Sequence, residues 1–249
     1  MIKRLAVLAL CLAATTAFAQ TDEEKSRATE VWTPAPPVVT VDARGIPSDA
    51  IILYRGAYLD SWESVKGGAA PWVSNNHEMS VVPGTGDIRT KESFCDVQLH
   101  VEWQVPKNVI DAKGVEMTGQ NRNNSGIFLQ ERYEVQVLDS YKSQTYANGQ
   151  AGAIYKQSIP LANASKAPGE WQTYDIFYSA PKFDAAGKLA APAIVTVLYN
   201  GVLVQNHFEI QGPTAWIGHP AYEAHGCAPI RLQDHGHPVR YRNIWVRKL

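Results

Sequence analysis

Short segments in which apolar and polar residues alternate run through the chain from residue 51 to the C-terminus. The clearest is FCDVQLHVEWQV, residues 94–105, in which a polar side chain occupies every second position after Val97. Because successive side chains of a strand point to opposite faces, this pattern predicts a strand with one buried face. Glycine and proline separate such segments, and none has a sustained period of 3.6 residues. The pattern therefore predicts an all-β protein, a β-sandwich or jelly roll.

Two stretches predict β-hairpins. NSGIFLQERYEVQVLDSY, residues 124–141, has the pattern of two strands around a tight turn. PAIVTVLYNGVLVQNHFEI, residues 192–210, contains two apolar strands joined by Asn200-Gly201, a dipeptide that favours the type I′ hairpin turn. Hairpins connect antiparallel neighbours, so the predicted sheets are antiparallel.

The N-terminus has the features of a secretory signal peptide. A basic start, an apolar run and an A-x-A site precede Gln20, so residues 1–19 are predicted to be removed on export. The mature protein is then expected in the periplasm or secreted, in a bacterium of the Gram-negative type. A lipid anchor on Cys11 is the less favoured alternative, because Leu10 stands where a small residue is expected. Residues 20–50 form a polar, proline-rich lead-in, and residues 51–249 form the predicted β-sandwich domain.

Charge and hydropathy exclude two classes of partner. The formal net charge is -1 and no basic stripe is visible, so no nucleic-acid partner is expected. After the leader, no apolar run is long enough to cross a bilayer, so no membrane span is expected. The aromatic residues, which include seven tryptophans, suit either a core or a surface on which sugar rings stack.

Three predicted strands carry acids, amides and imidazoles on their polar side, where threonine, lysine and serine are more usual. A solvated sheet face with cross-strand ion pairs is the plain interpretation. The alternative is a concave face that binds a polyhydroxylated ligand, because carboxylates and amides hydrogen-bond to neighbouring hydroxyl groups. The rows are Gln98, His100, Glu102 and Gln104; Glu134 and Gln136; and Arg231, Gln233 and His235.

The spacing of carboxylates argues against an ordinary retaining glycosidase. Such enzymes need two carboxyl groups beside the scissile bond, and sandwich-fold glucanases place them at alternate positions of one strand. Here Glu134 alternates with Gln136 and Leu138, so the second acid is missing. Five histidines lie between residues 207 and 237, but without a paired ligand motif no metal is predicted. A divalent metal stays an open alternative to the prediction of no cofactor.

Two cysteines remain after the leader, an even number that allows a disulfide in an exported protein. Cys95 opens the strand that carries His100, and Cys227 precedes the strand that carries Arg231. If those two strands share a face, their ends could meet, and a Cys95–Cys227 disulfide is predicted. Two buried free thiols are the alternative.

Several long motifs resemble the 3-keto-disaccharide hydrolase domain family. They include GDIRTKESFCDVQLHVEWQVP, NNSGIFLQERYEVQVLDSY, GQAGAIY and PIRLQDHGHPVRYRNIWVRKL, and the resemblance runs in order from about residue 51 to residue 249. It implies a concanavalin A-like jelly-roll sandwich of two antiparallel sheets. It also implies an exported bacterial enzyme that acts on glycosides already oxidised at C3, and hence a partner oxidoreductase that makes the 3-keto sugar.

A 3-keto substrate accounts for the missing carboxylate. The ketone acidifies the proton on C2, one base removes it, the C1 substituent leaves by β-elimination, and hydration completes the cleavage. The base is assigned to Glu134 or His235, and Arg231 is assigned to the enediolate oxygen. A non-catalytic carbohydrate-binding module and a component of a larger surface complex remain the rival interpretations. The candidate substrate-binding residues are Gln136, Glu102, His100, Gln233, Arg89 and Tyr155.

Overall fold

The computed structural model describes residues 20–111 and 113–249, so the predicted signal peptide lies outside the described residues. The chain divides into two compact units, and the second spans Thr40–Leu249. The described part of the first unit holds one short helix, α1 (Asp22–Arg27), which begins in a capping box between Thr21 and Glu24 and buries no residue. No helix among the described residues has the length and apolar character needed to cross a membrane.

The second unit contains fifteen strands among its described residues. Most are short, as expected for a chain in which turns follow one another closely. The strands are β1 (Ile51–Tyr54), β2 (Trp62–Ser64), β3 (Val73–Asn75), β4 (Glu78–Ser80), β5 (Ile88–Phe94), β6 (Val97–Gln104), β7 (Ser125–Leu129), β8 (Tyr133–Val137), β9 (Gln172–Ser179), β10 (Lys182–Phe183), β11 (Leu189–Ala191), β12 (Ile194–Tyr199), β13 (Val202–Glu209), β14 (Ala228–Leu232) and β15 (Arg240–Lys248).

Two antiparallel sheets form a sandwich, which confirms the predicted fold class. The larger has the order β13-β12-β9-β6-β15-β4-β3, with β1 also paired to β15, and the smaller has the order β2-β5-β14-β7-β8. Strands β10 and β11 form a separate two-stranded ribbon. Alternate residues of both main sheets, such as Leu99 and Val135, belong to one buried core. Tyr174 of the larger sheet donates a hydrogen bond across this core to the carbonyl oxygen of Gln136, 2.8 Å away.

The three polar rows do not lie on one face, contrary to the prediction. Strand β6 pairs with β9 and β15, so His100 and Glu102 lie on the outer face of the larger sheet. The rows of β8 and β14 belong to the smaller sheet. Alternation determines which residues share a face of one strand, but the choice of sheet depends on pairing with strands that are distant in sequence.

Cys95 and Cys227 form a disulfide with a Cα–Cα distance of 4.7 Å. The reason differs from the expected one, because β6 and β14 belong to different sheets. Cys95 directly follows β5, Cys227 directly precedes β14, and Phe94 is paired with Ala228 in the smaller sheet. The disulfide therefore ties together the ends of two neighbouring strands.

Candidate active site

Four charged residues and one phenylalanine, one from each strand of the smaller sheet, form a row across its outer face. The cross-strand registers pair each member with the next, because residues opposite one another in antiparallel strands share a face. Within the row, Arg89 donates hydrogen bonds to Glu63 at 2.9 Å and to Glu131 of the β7–β8 turn at 3.3 Å. The row runs Glu63, Arg89, Arg231, Phe128 and Glu134.

A cavity of about 180 Å³ opens at the β8 end of this row. Pockets for drug-sized ligands usually exceed about 300 Å³, so this cavity suits a single sugar ring rather than a chain of rings. Aromatic, amide, hydroxyl and imidazole groups surround a single carboxyl group within the described lining. The lining residues are Asn124, Phe128, Glu134, Gln136, Tyr155, Thr214, Ala215, Trp216, Gln233 and His235.

Glu134 is buried beneath this cavity, with 5% of its surface exposed. Its carboxyl group lies over Gly126 of the neighbouring strand β7, where a Cβ atom would collide with it. Burial disfavours the ionised carboxylate and raises the pKa of Glu134 to about 8, although the nearby charge of Arg231 acts to lower it. A carboxyl group that titrates so close to neutrality can accept or donate a proton under physiological conditions.

Two loop segments cover the free edge of β8 and complete the cavity. The backbone of residues 152–155 pairs along this edge, with Tyr155 N donating to the carbonyl oxygen of Glu134 at 3.2 Å. The amide of Glu134 donates to Oγ1 of Thr214 at 3.0 Å, which anchors the second segment. Since both segments bond to the backbone of the strand that carries Glu134, they bring Tyr155 and Trp216 to the mouth of the cavity.

The mouth has an aromatic rim. Trp216 is 74% exposed, and its backbone carbonyl accepts a hydrogen bond from the ammonium group of Lys156. The hydroxyl group of Tyr155 lies 2.7 Å from that of Tyr146. The exposed ring of Trp216 and the partly exposed ring of Tyr155 offer flat apolar surfaces against which the face of a sugar ring can pack.

Gln136 and Gln233 are two of the side-chain amides that line the cavity with Glu134. Nε2 of Gln136 donates to Oδ1 of Asn124 at 2.9 Å and to the carbonyl oxygen of Ser125 at 2.8 Å, so the protein itself holds this amide. Oε1 of Gln233 is buried and has no hydrogen-bond partner among the described residues. A buried amide oxygen without a partner is costly, and a ligand hydroxyl group that donates a hydrogen bond to it would relieve that cost.

Arg231 lies behind the cavity wall rather than in it. Its guanidinium carbon is 3.9 Å from the centre of the Phe128 ring, and its Nη1 donates to Asp87 at 2.8 Å. Phe128 lies between Arg231 and Glu134 in the row, so direct contact of Arg231 with a ligand, as predicted from the sequence, does not fit this position. Its positive charge instead acts on Glu134 through the ring. Arg89 is one strand further away.

His235 is exposed at the edge of the cavity and stacks on His237, with ring centroids 6.0 Å apart. Nδ1 of His237 accepts a hydrogen bond from the backbone amide of Asn124 at 3.2 Å. No cluster of three or more histidine, cysteine, aspartate or glutamate residues with metal-binding geometry occurs within residues 20–111 and 113–249.

The structure brings together five of the nine predicted site residues and separates the others. The substrate-binding assignments of His100 and Glu102 do not belong to this cavity, because β6 is part of the other sheet. Four further lining residues were not predicted from the sequence as site residues: Asn124, Phe128, Thr214 and Trp216. Phe128 shares its strand phase with Gly126 and could have been found, whereas Trp216 lies in a loop without periodicity. The five that line the cavity are Glu134, Gln136, Tyr155, Gln233 and His235.

Comparison with solved structures identifies similar proteins from Parabacteroides distasonis. A proposed glycosyl hydrolase from this organism is 50% identical, with a TM-score of 0.85 over 95% of this chain and 100% of its own chain. A second proposed glycosyl hydrolase is 18% identical, with a TM-score of 0.58 over 93% of this chain and 98% of its own, and shows the shared fold alone. The comparison with curated proteins found no match.

A protein-family model matches almost the entire β-sandwich. Residues 49–247 match the family described as a 3-keto-alpha-glucoside-1,2-lyase-like domain. These bounds include every strand of both main sheets except the last residue of β15, and all the residues that line the cavity. The chain therefore belongs to the family of 3-keto-alpha-glucoside-1,2-lyase-like domains.

Proposed function

We propose that the protein cleaves the glycosidic bond of 3-keto-glycosides by β-elimination in the Glu134 cavity. The observation that carries this proposal is the isolation of one buried carboxyl group whose pKa is raised to about 8. Glu134 is the one carboxyl group among the described residues that line the cavity. The family to which the chain belongs and the similarity to proposed glycosyl hydrolases support action on glycosidic bonds.

One carboxylate is enough for elimination next to a ketone. Retaining and inverting glycosidases use two carboxyl groups, because the leaving group must be protonated while a cation-like centre is attacked or stabilised. A 3-ketone removes that need, since it makes the C2 proton acidic and accepts the electrons when the proton leaves. An active site for this reaction needs a base, hydrogen-bond donors near the C3 oxygen and a proton for the leaving oxygen.

The proposed reaction begins when the Glu134 carboxylate removes the proton from C2. The electrons of the C2–H bond form an enediolate with the oxygen on C3, and their return breaks the bond between C1 and the leaving oxygen. The products are an alcohol and a sugar with a double bond between C1 and C2. Addition of water to that double bond completes a net hydrolysis.

The position of each side chain, buried or exposed, determines the role that it has in the proposed reaction. Glu134 is the base of the proposal because it is shielded from water, while His235, at the cavity mouth, protonates the leaving oxygen. The amide of Gln233 is a donor for the enediolate oxygen, and Arg231 stabilises the negative charge through Phe128. Gln136, held by the backbone, orients a substrate hydroxyl group, and Trp216 with Tyr155 contacts the sugar face.

The proposal implies a supplier of substrate and a location. An oxidoreductase that converts the C3 hydroxyl group to a ketone must act before this protein. The predicted signal peptide supports action outside the cytoplasm.

The direct test offers the purified protein a disaccharide and its 3-keto derivative in parallel. We expect release of the free sugar from the 3-keto compound and none from the parent. Accumulation of an unsaturated product with ultraviolet absorbance before hydration would distinguish elimination from direct displacement. Equal cleavage of both sugars would indicate a conventional glycosidase, and binding without cleavage of either would indicate a carbohydrate-binding module.

A further inference from the structure

A second cavity, lined by charged side chains, lies on the outer face of the larger sheet, on the opposite side of the sandwich from Glu134. Its volume is about 420 Å³. An adjoining cavity of about 440 Å³ shares three of its residues and extends to Tyr58, which is 77% exposed. Together they form a groove, here called the back groove. The cavity of about 420 Å³ is lined by Arg44, Arg55, His77, Glu102, Arg242 and Asn243.

The floor of the back groove is a fixed carboxylate. Oε2 of Glu102 accepts a hydrogen bond from Nε of Arg242 at 2.6 Å, and Oε1 accepts one from Nδ2 of Asn243 at 2.8 Å. Asn243 has a positive φ of 46° at a break in register between Arg242 and Trp245. A β-bulge of this kind re-aims side chains and is common beside functional sites. Each oxygen of Glu102 keeps lone pairs that could accept from ligand hydroxyl groups.

His100 supports this floor from the neighbouring position of β6. Its Nδ1 lies 2.7 Å from Oδ1 of Asp175, and its ring stacks on Trp245 with a centroid distance of 5.2 Å. Burial alone would lower the pKa of His100, but hydrogen bonds to Asp175 and Glu102 raise it to about 9. His100 is therefore a cation at neutral pH, so Glu102 lies between two positive charges.

Arg44 and Arg55 form the part of the wall that is open to a ligand. Their side chains are 52% and 51% exposed, and both have Asp42 as their nearest carboxylate, at 3.5 Å and 4.0 Å. At these distances Asp42 leaves most of their N–H donors unused. The planar fork of a guanidinium group matches the oxygens of a carboxylate or sulfate group. Close packing of Gly56 on His77, where a Cβ would collide, holds the segment after Arg55 against the β3–β4 turn.

We propose that the back groove binds an anionic saccharide. Its carboxylate or sulfate group would lie between Arg44 and Arg55, its hydroxyl groups would bond to Glu102, and a following ring would pack on Tyr58. Three arginines, Arg44, Arg55 and Arg242, outnumber the two carboxylates of the lining, Glu102 and Asp60, which favours an anionic ligand over a neutral one. This site is separate from the proposed cleavage and does not depend on it.

The test measures binding of five probes to the mature protein by titration calorimetry. The probes are trigalacturonate, glucose 6-sulfate, neutral cellotriose and inorganic sulfate, with oligoglutamate as an acidic peptide. The variant Arg44→Gln/Arg55→Gln removes both open guanidinium groups from exposed positions, and Lys91→Gln removes an exposed cation from the smaller sheet as a matched control. Cleavage of the 3-keto disaccharide is measured in parallel for every variant.

We expect trigalacturonate or glucose 6-sulfate to bind, and the double variant to weaken that binding by about tenfold or more. Lys91→Gln should bind normally, and binding should weaken as salt is added. Trigalacturonate alone would identify a carboxylate ligand, and glucose 6-sulfate alone a sulfate ester. The proposal is overturned if neither binds, if the double variant binds as well as the native protein, or if cellotriose binds equally tightly. Binding of inorganic sulfate alone would indicate a simple ion site, and tighter binding of oligoglutamate a peptide site.

Discussion

The carboxyl group of Glu134 on β8 occupies the space above Gly126 on β7 that a side chain at residue 126 would fill. A Cβ atom at residue 126 would collide with Oε1 of Glu134 and lie 2.8 Å from the ring of Phe128. Glycine in the middle of a strand weakens it and often marks the close approach of another group. Gly126 therefore allows a large acidic side chain to lie flat against the sheet, where it is shielded from water.

The first prediction concerns the substitution Gly126→Ala. The added methyl group should displace the carboxyl group of Glu134 by a fraction of an ångström or more and lower kcat/KM for a 3-keto disaccharide by about 10- to 100-fold. The backbone at residue 126 does not have a positive φ, so alanine should be accepted there without backbone strain. Steady-state kinetics together with thermal melting would separate misplacement of Glu134 from loss of fold.

Gly226→Ala is the matched control. Gly226 also lacks a positive φ, and no atom lies within 4 Å of a Cβ built there. This variant should retain native kinetics and melting temperature. If Gly126→Ala is as active as Gly226→Ala, the carboxyl group does not need its present position, and Glu134 is not the base.

The second prediction concerns the pH dependence of activity. With a pKa of about 8, Glu134 is mostly protonated at pH 6, so kcat/KM for a 3-keto aryl glycoside, whose leaving group needs no protonation, should rise about tenfold per pH unit and level off above pH 8. Glu134→Gln should lower turnover by about 10²-fold or more and abolish this rise. Glu131→Gln, which removes a carboxyl group outside the cavity lining, should keep the rise.

The same pKa predicts an unusual pH dependence of stability. The folded protein holds the Glu134 proton more tightly than the unfolded chain, whose pKa is near 4.5. Between pH 4.5 and 8 the folded state therefore binds more protons, and the free energy of unfolding should fall as pH rises, by up to about 1.4 kcal/mol per pH unit. Urea unfolding of the native protein and Glu134→Gln at several pH values isolates this contribution. Parallel stability curves would mean that Glu134 titrates normally.

The fold and part of the site could be predicted from local patterns. Strand phase places Glu134 and Gln136 on the same face, and it does the same for Gln233 with the preceding Arg231. The prediction that His100 shares a face with Glu134 was wrong, because the sheet to which β6 belongs depends on the distant strands with which β6 pairs. The backbone hydrogen bonds of β6 to β9 and β15 place β6 in the larger sheet. The alternation of residues within β6 does not indicate which strands will be its partners.

The loop residues that line the Glu134 cavity could not be predicted from the sequence, for a different reason. Trp216 reaches the cavity because the segment containing Thr214 bonds to the edge of β8. This contact joins positions about 80 residues apart in the sequence, without periodicity or a turn motif to indicate it. Arg231 does not line the cavity, because the intervening ring belongs to Phe128, on the strand between β14 and β8.

The third prediction separates His235 from the other histidines. If His235 protonates the leaving oxygen, His235→Ala should lower turnover by about 10²-fold. An exposed side chain contributes little to the core, so stability should change by less than about 0.5 kcal/mol. His207→Ala, at another exposed position, should leave both quantities unchanged.

A substrate with a good leaving group gives a sharper test of this role. A 3-keto aryl glycoside whose phenolate departs without protonation should be cleaved at a similar rate by His235→Ala and by the native protein. A variant that is equally impaired on both substrates would contradict the assignment of His235 as the proton donor.

The fourth prediction concerns the disulfide, which closes a loop of 132 residues between Cys95 and Cys227. Such a long loop loses much conformational freedom in the unfolded chain, so the double variant Cys95→Ser/Cys227→Ser should lose about 3–5 kcal/mol of unfolding free energy. For a domain of this size, that corresponds to a fall in melting temperature of roughly 10 °C. Because β14 leads directly from Cys227 to Arg231 and Gln233, activity should also fall at temperatures well below unfolding.

Reduction of the native protein provides the comparison for that variant. If the covalent bond is the source of the effect, the reduced native protein and the double variant should melt at the same temperature. The single variant Cys95→Ser should match them, since it also lacks the bond. A reduced native protein that melts like the oxidised one would show that strand pairing between Phe94 and Ala228 alone holds β5 against β14. The disulfide would then contribute nothing to the pairing of β14 with β5.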